Sequence, residues 1–187
     1  MSLHTLEGGF ATPAHDAAFA FRALMDAMAR PGTLEEIAGG KGPAPLSQAA
    51  SCVLLTLCDA DTNFYLTPSV DTGATRAWIA FHTGAPITGA ETADFALGPW
   101  AELRPLDRFR IGTPEYPDQS ATLIVEMESL TQTGATLSGP GIQTTAHLSL
   151  PDVDAIRRNA KAFPLGLDFI FTAGSTVAAL PRSTEVR

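Results

Sequence analysis

Between Gly139 and Asp168 the chain is marked by glycine and proline at both ends. Gly139-Pro140-Gly141-Ile142 opens the stretch, Phe163-Pro164-Leu165-Gly166-Leu167-Asp168 closes it, and Leu180 to Thr184 echoes it further on. Glycine serves where a backbone turns or approaches something closely, and proline where it must be stiff. The apolar run Leu167 to Phe171 follows at once and reads as a buried strand. The last third of the chain is therefore expected to be a core strand approached by two rigid, glycine-bearing corners.

Around that strand the sequence predicts alternating helices and strands. Thr12-Pro13 offers an N-cap and a proline at the first helical position. Ala18, Phe21, Met25 and Met28, with Leu24 beside them, give the helix its apolar face, and Pro31-Gly32 stops it. Thr33 to Ile37 predicts a short strand, and Gly39 to Pro43 a flexible linker loop. Leu46 to Leu57 predicts a buried second helix, closed by the polar turn Asp59–Thr62, and Asn63 to Thr67 a further short strand. Gly73 to His82 is the third helix, with His82 placed to favour the helix dipole. Pro86 to Pro117 reads as irregular but ordered cover, with a strand at Asp94–Leu97 and a short helix broken by Pro105.

Ala121 to Met127 alternates, with Leu123 and Val125 on one face and Ile124 and Glu126 on the other. With a turn at Thr131–Gly134 and a return strand at Ala135–Ser138, it predicts a hairpin. Ser149 and Asp152 form a capping-box-like pair before the helix Pro151 to Ala162. Asp168–Thr172 and Thr176–Leu180, joined by Ala173-Gly174-Ser175, predict a second hairpin, and Pro181 to Thr184 an exposed tail. The fold class expected is α/β, a mixed sheet with helices packed against it. At 187 residues it forms a single domain spanning 1–187, with 1–11 as a lead-in and 181–187 as a tail.

Composition narrows the function classes. Hydrophobic residues at 45% supply a core, and charged residues at only 17% suggest a surface partly covered by a partner. A net charge of −8, with no basic run, argues against nucleic acid as a partner. No apolar stretch approaches the roughly 20 residues that span a bilayer, and the N-terminus lacks the features of a signal peptide. A soluble, cytoplasmic protein without a membrane partner is expected. Cys52 and Cys58 are not spaced as a CxxC pair and are expected to be buried thiols.

Catalytic motifs are sparse. There is no GxSxG, the histidines are scattered, and Gly139-Pro140-Gly141 lacks the third glycine of a dinucleotide-binding turn. No metal site is expected, and neither Lys41 nor Lys161 sits where a pyridoxal phosphate Schiff base would need it. The ligand-binding candidates are Gly139, Gly141, Asp168 and Arg182. A carboxylate at the start of a buried strand needs a partner, and Arg182 can supply one. The alternative is that Arg182 recognises a phosphate or a partner's carboxylate.

Several short motifs, in order and at their spacing, resemble one family. They are Phe21-Arg22 with Met28-Ala-Arg-Pro-Gly32, Leu57-Cys-Asp59 with Thr62, Gly139-Pro-Gly-Ile142, Phe163-Pro-Leu-Gly-Leu-Asp168 and Leu180-Pro-Arg182. Together they look like the PhnH family of the bacterial carbon–phosphorus lyase system. The resemblance implies a fold related to the large domain of pyridoxal-phosphate-dependent transferases, without the cofactor. It implies a homodimer that joins the G, I and J subunits of a core complex in phosphonate catabolism. That complex moves ribose triphosphate from ATP onto an alkylphosphonate, as α-D-ribose 1-methylphosphonate 5-triphosphate synthase, and the radical chemistry belongs to another subunit. No catalytic residue carries over, so an accessory subunit without a complete active site is expected. The competing expectation is a stand-alone enzyme or binder of a phosphorylated ligand near Gly139, Gly141 and Arg182.

Overall fold

The computed structural model describes residues 6–187. The elements run α1 (Pro13–Ala29), β1 (Glu35–Glu36), α2 (Gln48–Leu57), β2 (Phe64–Leu66), α3 (Gly73–His82), β3 (Phe95–Pro99), α4 (Trp100–Leu103), β4 (Thr122–Glu126), β5 (Ala135–Ser138), β6 (Ala146–Leu148), α5 (Val153–Ala160), β7 (Asp168–Ala173), β8 (Thr176–Leu180) and β9 (Glu185–Val186). Six strands form a mixed sheet in the order β1-β8-β7-β4-β3-β2, and three form a small antiparallel sheet, β6-β5-β9. Within the large sheet β2, β3, β4 and β7 are parallel, and β8 returns antiparallel to β7. The expected α/β class with a mixed sheet and packed helices is what the chain adopts.

The period of two along each strand divides the core into two layers of side chains. Phe64, Leu97, Ile124, Ile170 and Val177 point to one face, where they meet Leu24 of α1, Val53 and Leu54 of α2, and Trp78 and Ile79 of α3. Ala96, Leu123, Val125, Phe169, Phe171 and Ala178 point to the other, against Trp100, Leu103, Ile156 and the small sheet's Leu137, Leu148 and Val186. The large sheet is thus covered on both faces, which is why its central strands read as continuous apolar runs.

Three expectations need correcting. The hairpin of residues 121–138 does not form, because β4 lies between β3 and β7 and both its edges are already paired. Its alternation was not apolar against polar: Ile124 is as buried as Leu123 and Val125, the mark of a central strand. β5 instead pairs with β6 and β9. The exposed tail is the second correction. Thr184 is buried and β9 is a strand of the small sheet, with Arg157 Nε donating to Val186 O at 3.1 Å. The third concerns α1, whose buried residues are Ala20, Leu24 and Ala27, while Phe21 and Met25 are about half exposed. Small alanines let α1 lie close against α2 and β8, and that close approach outweighs the greater apolar area of Phe21 and Met25.

Caps follow local chemistry. Ser47, Thr72 and Asp152 accept the N–H of Ala50, Thr75 and Ala155 at the starts of α2, α3 and α5. Thr12 does not cap through its side chain; Asp16 instead accepts its N–H at 2.8 Å. Ser149 accepts from Thr131 N and takes no part in capping α5. Of the lead-in, residues 1–5 lie outside the described residues, whereas Leu6 and Glu7 carbonyls bond to His82 and Trp78 on α3. His82 therefore anchors the lead-in as well as closing its helix. The glycine loop is also tied down, with Gly42 N donating to Ser51 Oγ at 2.9 Å. Asp59 accepts from Asp61 N and Thr62 Oγ1, the turn chemistry expected of it. Cys52 and Cys58 are free and buried, and burial pushes the Cys58 thiol up to about 12. No helix among the described residues is long and apolar enough to cross a membrane.

Candidate functional site at the amino ends of the parallel strands

The stretch Phe163–Asp168 sits where α5 hands over to β7, and local hydrogen bonds hold it in place. Asn159 bonds to Leu167 through both ends of its amide, donating to the carbonyl and accepting from the N–H, both at 2.8 Å. Gly166 N donates to Ile111 O at 3.0 Å, which ties the stretch to the irregular cover of residues 104–111. The stretch so fixed separates two concavities at the amino ends of the parallel strands.

The smaller cavity, about 390 Å³, is walled by Pro117, Phe163, Pro164, Asp168 and Arg182. Asp168 and Arg182 are brought together as expected: Nη2 and Nε of the guanidinium donate to the two carboxylate oxygens at 2.5 and 3.1 Å. Arg182 N also donates to Asp168, at 2.7 Å, and Nη1 donates to Pro117 O at 2.6 Å. The pair is 13% and 16% exposed, so these contacts satisfy charges that would otherwise be costly. The guanidinium thereby joins the start of β7, the exit of β8 and the turn at 117–119.

Gly139 and Gly141 line neither of the two cavities. Gly139 ends β5 against the backbone of Ser183, and a Cβ on Gly141 would stand 1.9 Å from Ala29 O. With φ of +81°, Gly141 locks the 139–142 turn onto the end of α1. The short motifs at 28–32, 139–142 and 180–184 thus meet one another as packed backbone.

The larger cavity, about 700 Å³, lies between residues 101–111 and the outward face of α5. Asp152, Ala155, Arg158, Asn159 and Ala162 line it at helical spacing, and Arg104 faces them. Arg104 Nη1 reaches Asp152 at 3.0 Å. The Asp152 carboxyl is held below its usual range, first by the Ala155 N–H and then by Arg104. Neither Arg104 nor Arg158 stood out in the sequence: Arg158 reads as a helix-dipole cation, and its separation from Arg104 hides their proximity.

At the opposite, carboxyl ends of the strands, where open α/β sheets usually bind ligands, Glu126 occupies the corner. Its carboxylate accepts from Ser47 N at 2.8 Å, at the start of α2, and from Thr172 Oγ1 at 3.1 Å. Burial raises its pKa, against the lowering effect of those hydrogen bonds. The anion-binding potential of that helix start is filled by the chain's own side chain. Lys41 and Lys161 are exposed and line neither cavity. Among the described residues no group of three or more His, Cys, Asp or Glu is placed to hold a metal.

Comparison with known proteins gives this geometry a family. Residues 8–187 match the family of bacterial phosphonate metabolism proteins, PhnH. The chain belongs to the PhnH family. It is 42% identical, over 96% of its length and 94% of the relative's, to the α-D-ribose 1-methylphosphonate 5-triphosphate synthase subunit PhnH of Rhizobium meliloti (strain 1021). It is also 30% identical, over 89% and 84%, to a putative C-P lyase subunit protein, HtxG, of Stutzerimonas stutzeri.

Proposed function

We propose that this chain is an accessory subunit of a carbon–phosphorus lyase core complex in organic phosphonate catabolism. In this reading it contributes to the transfer of ribose triphosphate from ATP to an alkylphosphonate without a complete active site of its own. The observation that carries the reading is the 42% identity, sustained over nearly both chains, to a subunit of that synthase.

The partners in this reading are a second copy of the chain and the G, I and J subunits, in the cytoplasm. Phe19, Phe21 and Met25, exposed on α1, support a covered surface there. The fold is read as related to the large domain of pyridoxal-phosphate-dependent transferases but working without that cofactor. The exposed positions of both lysines and the filled start of α2 support this, because the cofactor needs a Schiff-base lysine and a phosphate seat.

Co-expression with the G, I and J subunits followed by sizing tests the proposal. Co-elution as one species is the expected result, and separate elution of this chain overturns it.

A further inference from the structure

We propose that the larger cleft, between residues 101–111 and α5, binds a small organic anion: a tetrahedral phosphorus oxyanion carried on an apolar body. Its volume of about 700 Å³ lies within the range of small-molecule sites. Ala101, Pro105, Leu106, Ile111 and Leu167 supply an apolar floor. The rim carries two guanidiniums with capacity to spare. Arg104 spends one nitrogen on Asp152, and Arg158 makes no hydrogen bond or ion pair among the described residues. Planar guanidiniums suit oxyanions of this shape.

The lining acids match the guanidiniums one for one in formal charge, so the case for an anion rests on free donors rather than on net charge. Asp152 is committed through both oxygens, to Ala155 N and to Arg104. Asp107 is the lining acid with no hydrogen bond or ion pair among the described residues, and it sits exposed. Setting aside the Arg104–Asp152 pair, Arg158 stands against Asp107, and Arg104 keeps donors beyond the one it spends on Asp152. Asn159 shapes the wall, held in place by one bond from each end of its amide to Leu167. The unused guanidinium donors suit an oxyanion, and the family's tie to phosphonate metabolism narrows the class. To that extent the site rests on the proposed function. Its place at the amino ends of the strands also sets it apart from the filled corner at Glu126.

The test is calorimetric titration of the full chain with phenylphosphonate, phenyl phosphate and inorganic phosphate. The two organic probes share the oxyanion and the apolar body, and comparing them shows which source the cleft prefers. Saturable binding of at least one of them, about tenfold tighter than inorganic phosphate, is expected. Arg158→Gln, at an exposed position with no hydrogen bond among the described residues, should weaken it about tenfold. Asp107→Asn should tighten it, a change of opposite sign that a merely structural role would not produce. Ala101→Phe, also at an exposed position, should fill the floor and abolish it.

Absence of saturable binding by either organic probe up to about 10 mM overturns the proposal, since a site of even millimolar Kd would be mostly filled there. Binding that Arg158→Gln or Ala101→Phe leaves unchanged overturns it as well. The subunit reading fails separately. Co-assembly with no binding removes the cleft site alone, and binding with no co-assembly removes the subunit reading alone.

Discussion

Two carboxylates show how differently this chain treats buried charge. Asp168 is paired on both oxygens with Arg182, and the arginine has a further bond to Pro117 O. Removing one partner strands the other, so Arg182→Ala should cost about 3 kcal/mol, read as a lower urea midpoint. The double variant Asp168→Leu with Arg182→Met should recover most of that loss, because an apolar pair of similar volume has no charge to desolvate. If the single and double variants lose equally, the pair matters for something other than mutual neutralisation. Glu126 has no ion pair among the described residues. It relies on Ser47 N and Thr172 Oγ1, and burial raises its pKa above the usual 4.5.

The sign follows from linkage. The folded state holds the proton more tightly than the unfolded one, so this group's contribution is fully present below 4.5 and is lost as pH rises through the folded value. Glu126→Gln keeps an acceptor for Ser47 N and, through its amide N–H, a donor to Thr172, whose hydroxyl also reaches Val125 O. Relative to the parent, this variant should gain stability between about pH 4 and about pH 7, measured by urea unfolding at both. A variant-minus-parent difference that is flat with pH would place the carboxyl outside the titration.

At the scale of elements, local chemistry was legible and pairing was not. The helix at Gly73–His82 and the β7–β8 hairpin are legible to within a residue or so, because His82 at a helix end and Ala173-Gly174-Ser175 at a turn act on their own neighbourhoods. β4 was found with its two faces assigned correctly, yet its partners β3 and β7 are separated from it in sequence and no turn announces them. The same distance effect governs the sites. Asp168 and Arg182 flank one hairpin and could be paired on paper, whereas Arg104 and Arg158 meet only through packing of α5 against irregular cover. The glycine corners were legible as corners, but not what they press against. Gly141→Ala should cost about 2 kcal/mol or more, since its Cβ would meet Ala29 O and φ is +81°. Gly174→Asn is the control: φ is +58° with nothing within 4 Å of a Cβ, so a loss of about 1 kcal/mol or less is expected. Thermal denaturation of both variants separates close approach from backbone conformation alone, and equal losses would assign the Gly141 effect to conformation.

For the whole molecule, the covered faces of the large sheet leave two kinds of surface with work to do: the clefts at the amino ends and the outer side of α1. Inward, α1 presents Ala20, Leu24 and Ala27 to α2 and β8; outward, it presents Phe19, Phe21 and Met25 at 59%, 49% and 52% exposure. A helix whose larger apolar side chains face away from its own core is spending them on another surface, and in the subunit reading that surface belongs to a second copy or another subunit. The two faces should therefore respond oppositely. Ala20→Leu forces methylenes into a close helix contact and should lower stability by about 1–3 kcal/mol. Phe21→Glu with Met25→Glu replaces half-exposed side chains outside the buried core and should cost the isolated fold about 1 kcal/mol or less per site. The same outward pair, introduced during co-expression with the G, I and J subunits, should lower the assembled species on sizing, because like charges replace the apolar contact. If the outward pair instead unfolds the chain while assembly of the remaining folded fraction is normal, α1 is a core element on both sides and the partner surface lies elsewhere on the molecule.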